Sequence, residues 1–164
     1  MARFCLSLII PEFFFGKTNQ GHYGVGDIFL YMAKILLIDD DEYIHMWTSI
    51  HLDKAGHQTT TAADGDPGIN LASKIKFDLV ITDIIMPDKE GLETIIELKK
   101  GNPDLPIIAM SGGGHMSSDD ILELALSLGA NAVLRKPFDG SELIALVESC
   151  LAPISDSWIK AITQ

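Results

Sequence analysis

The stretch Phe77–Gly91, FDLVITDIIMPDKEG, carries the pattern on which the fold turns. Leu79, Val80 and Ile81 form an apolar, β-favouring run without polar alternation, as expected of a strand buried on both faces. The run ends at a carboxylate, Asp83, and Met86-Pro87 follows three residues later. Such an acid is either a solvated turn residue or a reactive group held at the rim of a rigid sheet. The choice depends on what the other strand ends bring to it.

Outward from this stretch, short apolar runs alternate with amphipathic segments. Strands are expected at Lys34–Asp39, Gln58–Ala62, Leu79–Thr82, Ile107–Met110 and Ala132–Leu134. Helices are expected near Tyr43–Ala55, Pro67–Lys74, Leu92–Lys100, Ser118–Leu128 and Ser141–Leu151. Gly56 and Gly129 follow helices, Asp66-Pro67 suits a first turn, and Ser141 can cap the last helix. Five strand-then-helix units argue for an α/β protein with a parallel sheet covered on both faces. Ligands of such sheets gather at the carboxyl ends of the strands.

Those ends hold Asp39-Asp40-Asp41-Glu42, Asp83, Ser111 with Gly112-Gly113-Gly114, and Lys136-Pro137. Carboxylates from two strands facing one another either raise each other's pKa or demand a cation. A hard divalent ion such as Mg²⁺, with oxygen ligands, is the natural resolution, and no His or Cys cluster competes for a softer metal. With an ion bound, Asp83 can attack a phosphorus centre, Lys136 offsetting the incoming charge and Ser111 donating to a phosphoryl oxygen. Asp41 or Glu42 reads as a helix cap and the Gly triplet as a mobile loop. His45, His51, His57, His115 and Trp47 read as surface or packing residues.

The 164-residue length suits one domain. A net charge of −11 disfavours direct binding to nucleic acid. Arg3 and Lys17 balance Glu12 and Asp27, so all of that charge falls on residues 32–164. FCLSLIIPEFFF (Phe4–Phe15) is broken by Pro11 and Glu12 and is shorter than the roughly 20 residues of a membrane span. It is also a poor secretory signal. GKT at Gly16–Thr18 lacks the upstream glycine of a phosphate loop. The expected organisation is therefore an N-terminal extension outside the fold (1–31, with translation starting at Met32), a domain at 32–152 and a tail at 153–164. Cys5 and Cys150 match no metal or redox spacing and suit a reducing cytoplasm.

KILLIDDDE (Lys34–Glu42), DLVITDIIMPDKEGLE (Asp78–Glu93), PIIAMSGG (Pro106–Gly113) and ANAVLRKPFD (Ala130–Asp139) together resemble the four signature blocks of bacterial two-component response-regulator receiver domains. The resemblance covers about Lys34 to Leu151. It implies a flavodoxin-like, doubly wound, five-stranded parallel sheet with five helices and strand order 2-1-3-4-5. It also implies a stand-alone receiver similar to the chemotaxis response regulator. Carried over by position, Asp83 would accept a phosphoryl group from a sensor histidine kinase. Asp39 and Asp40 would hold Mg²⁺, Asp40 directly, together with Asp83 and the main-chain carbonyl of Ile85. Ser111 and Lys136 would contact the phosphoryl oxygens, with the backbone N–H groups of Ile84 and Gly112 beside them. Lys136-Pro137 would be cis, and Gly91 would close the turn after Met86-Pro87.

One position departs from the family: Val133 stands where a rotating Phe or Tyr is usual, which puts aromatic gating in doubt. The implied partners are a sensor kinase or phosphotransfer protein, a separate output protein and a second copy of the chain; nucleic acid and membrane are not among them. The chemistry is self-directed phosphotransfer and autodephosphorylation, so the chain is read as a regulator and not an enzyme. An aspartate-nucleophile phosphatase would need a second acid where Ile85 stands. A flavin-binding reading conflicts with the acids Asp39–Asp41. A pseudo-receiver that binds its partner without phosphorylation is the alternative reading.

Overall fold

The computed structural model describes residues 32–86, 91–112 and 118–151. The expectations for residues 1–31, the turn at Pro87, glycines 113 and 114, His115 and the tail from 153 lie outside them. The elements in chain order are β1 (Lys34–Ile38), α1 (Glu42–Lys54), β2 (Gln58–Ala62), α2 (Gly65–Lys74), β3 (Leu79–Asp83), α3 (Gly91–Gly101), β4 (Ile107–Ser111), α4 (Ser118–Ser127), β5 (Ala132–Arg135) and α5 (Gly140–Leu151). The sheet is wholly parallel with order β2-β1-β3-β4-β5, as the resemblance implied. Reversal of strand order at β1 and β3 leaves a crevice above their carboxyl ends.

Strand periodicity sorts the core into two layers. Leu36, Ile38, Val80, Ile107 and Ala109 face α2, α3 and α4, burying Ile95, Leu98, Leu122 and Ala125. Ile35, Leu37, Leu79, Ile81, Ile108 and Met110 face α1 and α5, burying Leu52, Leu143 and Val147. Every residue of β3 and β4 is buried, which explains the missing polar alternation. The QTTTA sequence of β2 belongs to a half-exposed edge.

Caps set the helix ends. Asp41 accepts from the Tyr43 N–H and begins α1 at 2.8 Å. Helix α2 starts at Gly65, two residues before the expected Pro67, with Asp64 as its cap and Asp66-Pro67 in its first turn, as expected. Proline is harmless in that first turn, where its missing N–H has no intrahelical partner. At α5 the cap is Asp139, not Ser141. Its carboxylate accepts from the N–H groups of Ser141 and Glu142 at 2.8 and 2.9 Å, while Glu142 accepts from the Asp139 N–H at 3.1 Å. Gly56 and Gly129 end α1 and α4 at φ 89° and 113°, conformations that favour glycine. No helix among the described residues is long and apolar enough to cross a membrane.

Candidate functional site at the strand ends

Three strand ends converge. Asp39 follows β1 and is fully buried, Asp83 ends β3 at 8% exposure, and Ser111 ends β4, also fully buried. One carboxylate oxygen from each of Asp39, Asp40 and Asp83 lies within 4.8 Å of the others. Lys136, just past β5, reaches across the sheet, its Nζ donating to Asp39 Oδ2 and Asp83 Oδ2 at 2.7 Å each. Asp39 Oδ1 accepts from the Asp41 N–H at 2.9 Å, so both its oxygens are engaged. Asp40 is exposed and stands at the mouth.

The electrostatics follow from this packing. Burial pushes the Asp83 carboxyl above its ordinary range. The Lys136 hydrogen bond and charge oppose that shift, and the Asp39 charge adds to it. For Lys136, burial works to lower the pKa, but the hydrogen bonds and charges of Asp39 and Asp83 outweigh it and the ammonium is held above its usual value. Among the described residues, one cation among three carboxylates leaves an excess of negative charge. The donor set is hard oxygen throughout, so the residues present fit Mg²⁺.

The strand ladder sorts the backbone donors. The Ile84 N–H donates to the Met110 carbonyl at 2.9 Å, so it is committed to the sheet and the expectation that it serves the phosphoryl group is corrected. The N–H that reaches the Asp83 carboxylate belongs to Ile85, at 3.3 Å. Sequence reasoning assigned Ile85 only its carbonyl. Gly112 lies against the Lys136 stem, a Cβ there falling 3.5 Å from Lys136 Cβ. The Lys136 N–H donates to the Ser111 carbonyl at 2.9 Å, and the Lys136-Pro137 peptide is cis, as expected.

Gly91 packs the start of α3 onto the end of β3 so closely that a Cβ would fall 1.9 Å from the Asp83 carbonyl oxygen. Of the residues read as surface or packing, His57 is buried 3.6 Å from Glu148, and His51 stacks on Trp47. Val133 is half-buried in β5 and lines a cleft of about 290 Å³ with Leu122, Glu123, Leu126 and Arg135.

A buried carboxylate, an acidic pair and a bridging lysine thus meet at the switch point of a five-stranded parallel sheet. Residues 35–148 match the model of the response regulator receiver domain, and the chain belongs to that family of phosphorylation-dependent two-component signalling domains. Among curated relatives, the transcriptional regulator NtrC of Azospirillum brasilense is 37% identical over 73% of this chain and 24% of its own length. RprY of Bacteroides fragilis is 33% identical over 72% of this chain and 49% of its own. The chain thus spans half or less of these relatives. The chemotaxis protein CheY4 of Vibrio cholerae superposes with a TM-score of 0.67 at 30% identity, over 73% of this chain and 99% of the other.

Proposed function

We propose that the chain is a phospho-accepting switch whose acceptor is Asp83. The observation that carries this reading is the joint hold of Lys136 on Asp39 and Asp83 inside a three-carboxylate cluster. An Asp83 oxygen attacks the phosphorus of a kinase phosphohistidine. The O–P bond forms as the N–P bond breaks, and the departing imidazole takes up a proton. Asp40, Asp83, the Ile85 carbonyl and, less directly, Asp39 would hold Mg²⁺, which would supply charge neutralisation to the transferring group. Lys136 then exchanges the carboxylates for a phosphoryl oxygen, the Ser111 hydroxyl donates to another, and the N–H groups of Ile85 and Gly112 line the remainder. The movement of Ser111 and Lys136 toward that charge is what a partner reads. Chemistry is confined to the chain's own acylphosphate, which it forms and hydrolyses.

The output passes to a separate protein in the cytoplasm, from a receiver at 32–152 to which residues 1–31 and 153–164 are accessory. With Val133 in place of an aromatic, the loop after Ser111 and α4 carry the change. Borohydride reduction of the phosphorylated protein, followed by peptide mass mapping, tests the assignment. Reductive modification is expected at Asp83 alone; modification at Asp39 or Asp40 instead would overturn it.

A further inference from the structure

Lys136 acts from a loop, yet a misplacement of about 1 Å at such a site costs orders of magnitude in rate. Something must hold that loop, and α1 carries the contacts that can. Phe138, two residues after Lys136, meets Trp47 edge to face with ring centroids 5.5 Å apart. One turn on, His51 lies over Trp47 at 4.0 Å. The His51 Nδ1–H donates to the Trp47 carbonyl at 2.8 Å, which sets the imidazole against the helix. The ring's other edge touches Gly140 so closely that a Cβ there would fall 2.2 Å from His51 Cδ2. Segment 136–140 is thereby pinned to α1 at Phe138 and at Gly140. Helix α1 itself begins directly after Asp39–Asp41, and the Asp41 carboxylate caps it. The metal-side acids and the lysine loop are thus referred to one rigid helix.

We propose that the Trp47–His51–Phe138 stack positions Lys136 over Asp39 and Asp83, an inference that rests on the roles given to Lys136 and Asp83 above. The fold does not need the stack for this purpose: α1 is already seated on the sheet by the buried Thr48 and Leu52. The half-buried rings lie at the edge of that packing and bear on the loop. A loosened loop lets Lys136 leave the carboxylates. Two consequences of opposite sign follow. The acids become more available to Mg²⁺, and the phosphoryl group loses its aligned cation. A general folding defect would weaken both.

The experiment compares wild type, Trp47→Leu and Phe138→Leu, each with and without Lys136→Ala, in the full chain. Mg²⁺ affinity is measured by calorimetry, and the rate of adduct formation from acetyl phosphate at saturating Mg²⁺ by intact mass. Each ring variant is expected to bind Mg²⁺ about two- to fivefold more tightly and to phosphorylate about three- to tenfold more slowly, with both effects absent in the Lys136→Ala background. Equal losses in both backgrounds, or weaker Mg²⁺ binding in the ring variants, would overturn the positioning role. If Trp47→Leu fails to fold, Phe138→Leu and Trp47→Phe carry the comparison. A wild type that forms no adduct defeats the assignment of Asp83, while the calorimetric cycle still decides whether the rings act through Lys136.

Discussion

Lys136 is the residue on which the site balances. Its ammonium is the cation that touches both Asp39 and Asp83, and both carboxylates are shielded from water. Lys136→Ala leaves them facing each other, and removing one partner of a buried ion pair is costly. The expected loss, read from denaturant unfolding without Mg²⁺, is about 2 kcal/mol or more. Added Mg²⁺ should restore stability more strongly in the variant than in wild type; an equal shift in both would contradict the account. The identities of these residues were legible because each acid ends a non-alternating apolar run, where a side chain is carried to the rim. The donor role of Ile85 was not. Its availability, and the commitment of the Ile84 N–H to Met110, depend on ladder register, which side-chain identity does not report.

At the scale of elements, the junctions do most to place the site. Gly91 allows α3 to start against the end of β3, its N–H donating to the Ile84 carbonyl at 2.9 Å. Gly91→Ala must displace backbone, since the nearest atoms to a new Cβ are the Asp83 carbonyl oxygen and Ile84 Cα. A stability loss of about 2–4 kcal/mol and slowed phosphorylation are expected; a variant with wild-type melting would show that the junction is looser than described. The α5 cap gives a pH test. The Ser141 hydroxyl, with the Glu142 and Ser141 N–H groups, holds the Asp139 carboxyl below its ordinary range. A depressed folded pKa means the contribution is complete above the ordinary value of 3.8 and is lost as pH falls through the folded one. The melting difference between wild type and Asp139→Ala should therefore be full at neutral pH and fade in acid; a difference that persists in acid would contradict it. The missed cap of α5 has a local cause. Asp139 and Ser141 are equally good caps in isolation, and backbone geometry chooses between them. The three-residue spacing of Asp139 and Glu142 did carry the right choice.

Over the whole molecule, five strand–helix units fix a parallel sheet, but nothing local in β1 or β3 states that they are neighbours. That order rested on family resemblance, and the pairing of Ile35 with Leu79 and of Ile38 with Thr82 bears it out. Helices cover both faces of the sheet within residues 32–151, so removal of residues 1–31 is expected to leave the melting temperature within about 2 °C of the full chain. A larger drop would assign the extension a structural part. On the proposed function, this architecture presents Asp83 as a metal-assisted phosphoryl acceptor. Intact mass spectrometry after incubation with acetyl phosphate, with and without Mg²⁺, on wild type and Asp83→Asn, addresses it most directly. A single Mg²⁺-dependent phosphoryl adduct on wild type, absent from Asp83→Asn, is the expected result. No adduct on wild type under any condition, or one that persists in Asp83→Asn, would contradict the claim, and the first of these would favour a receiver that binds its partner without phosphorylation.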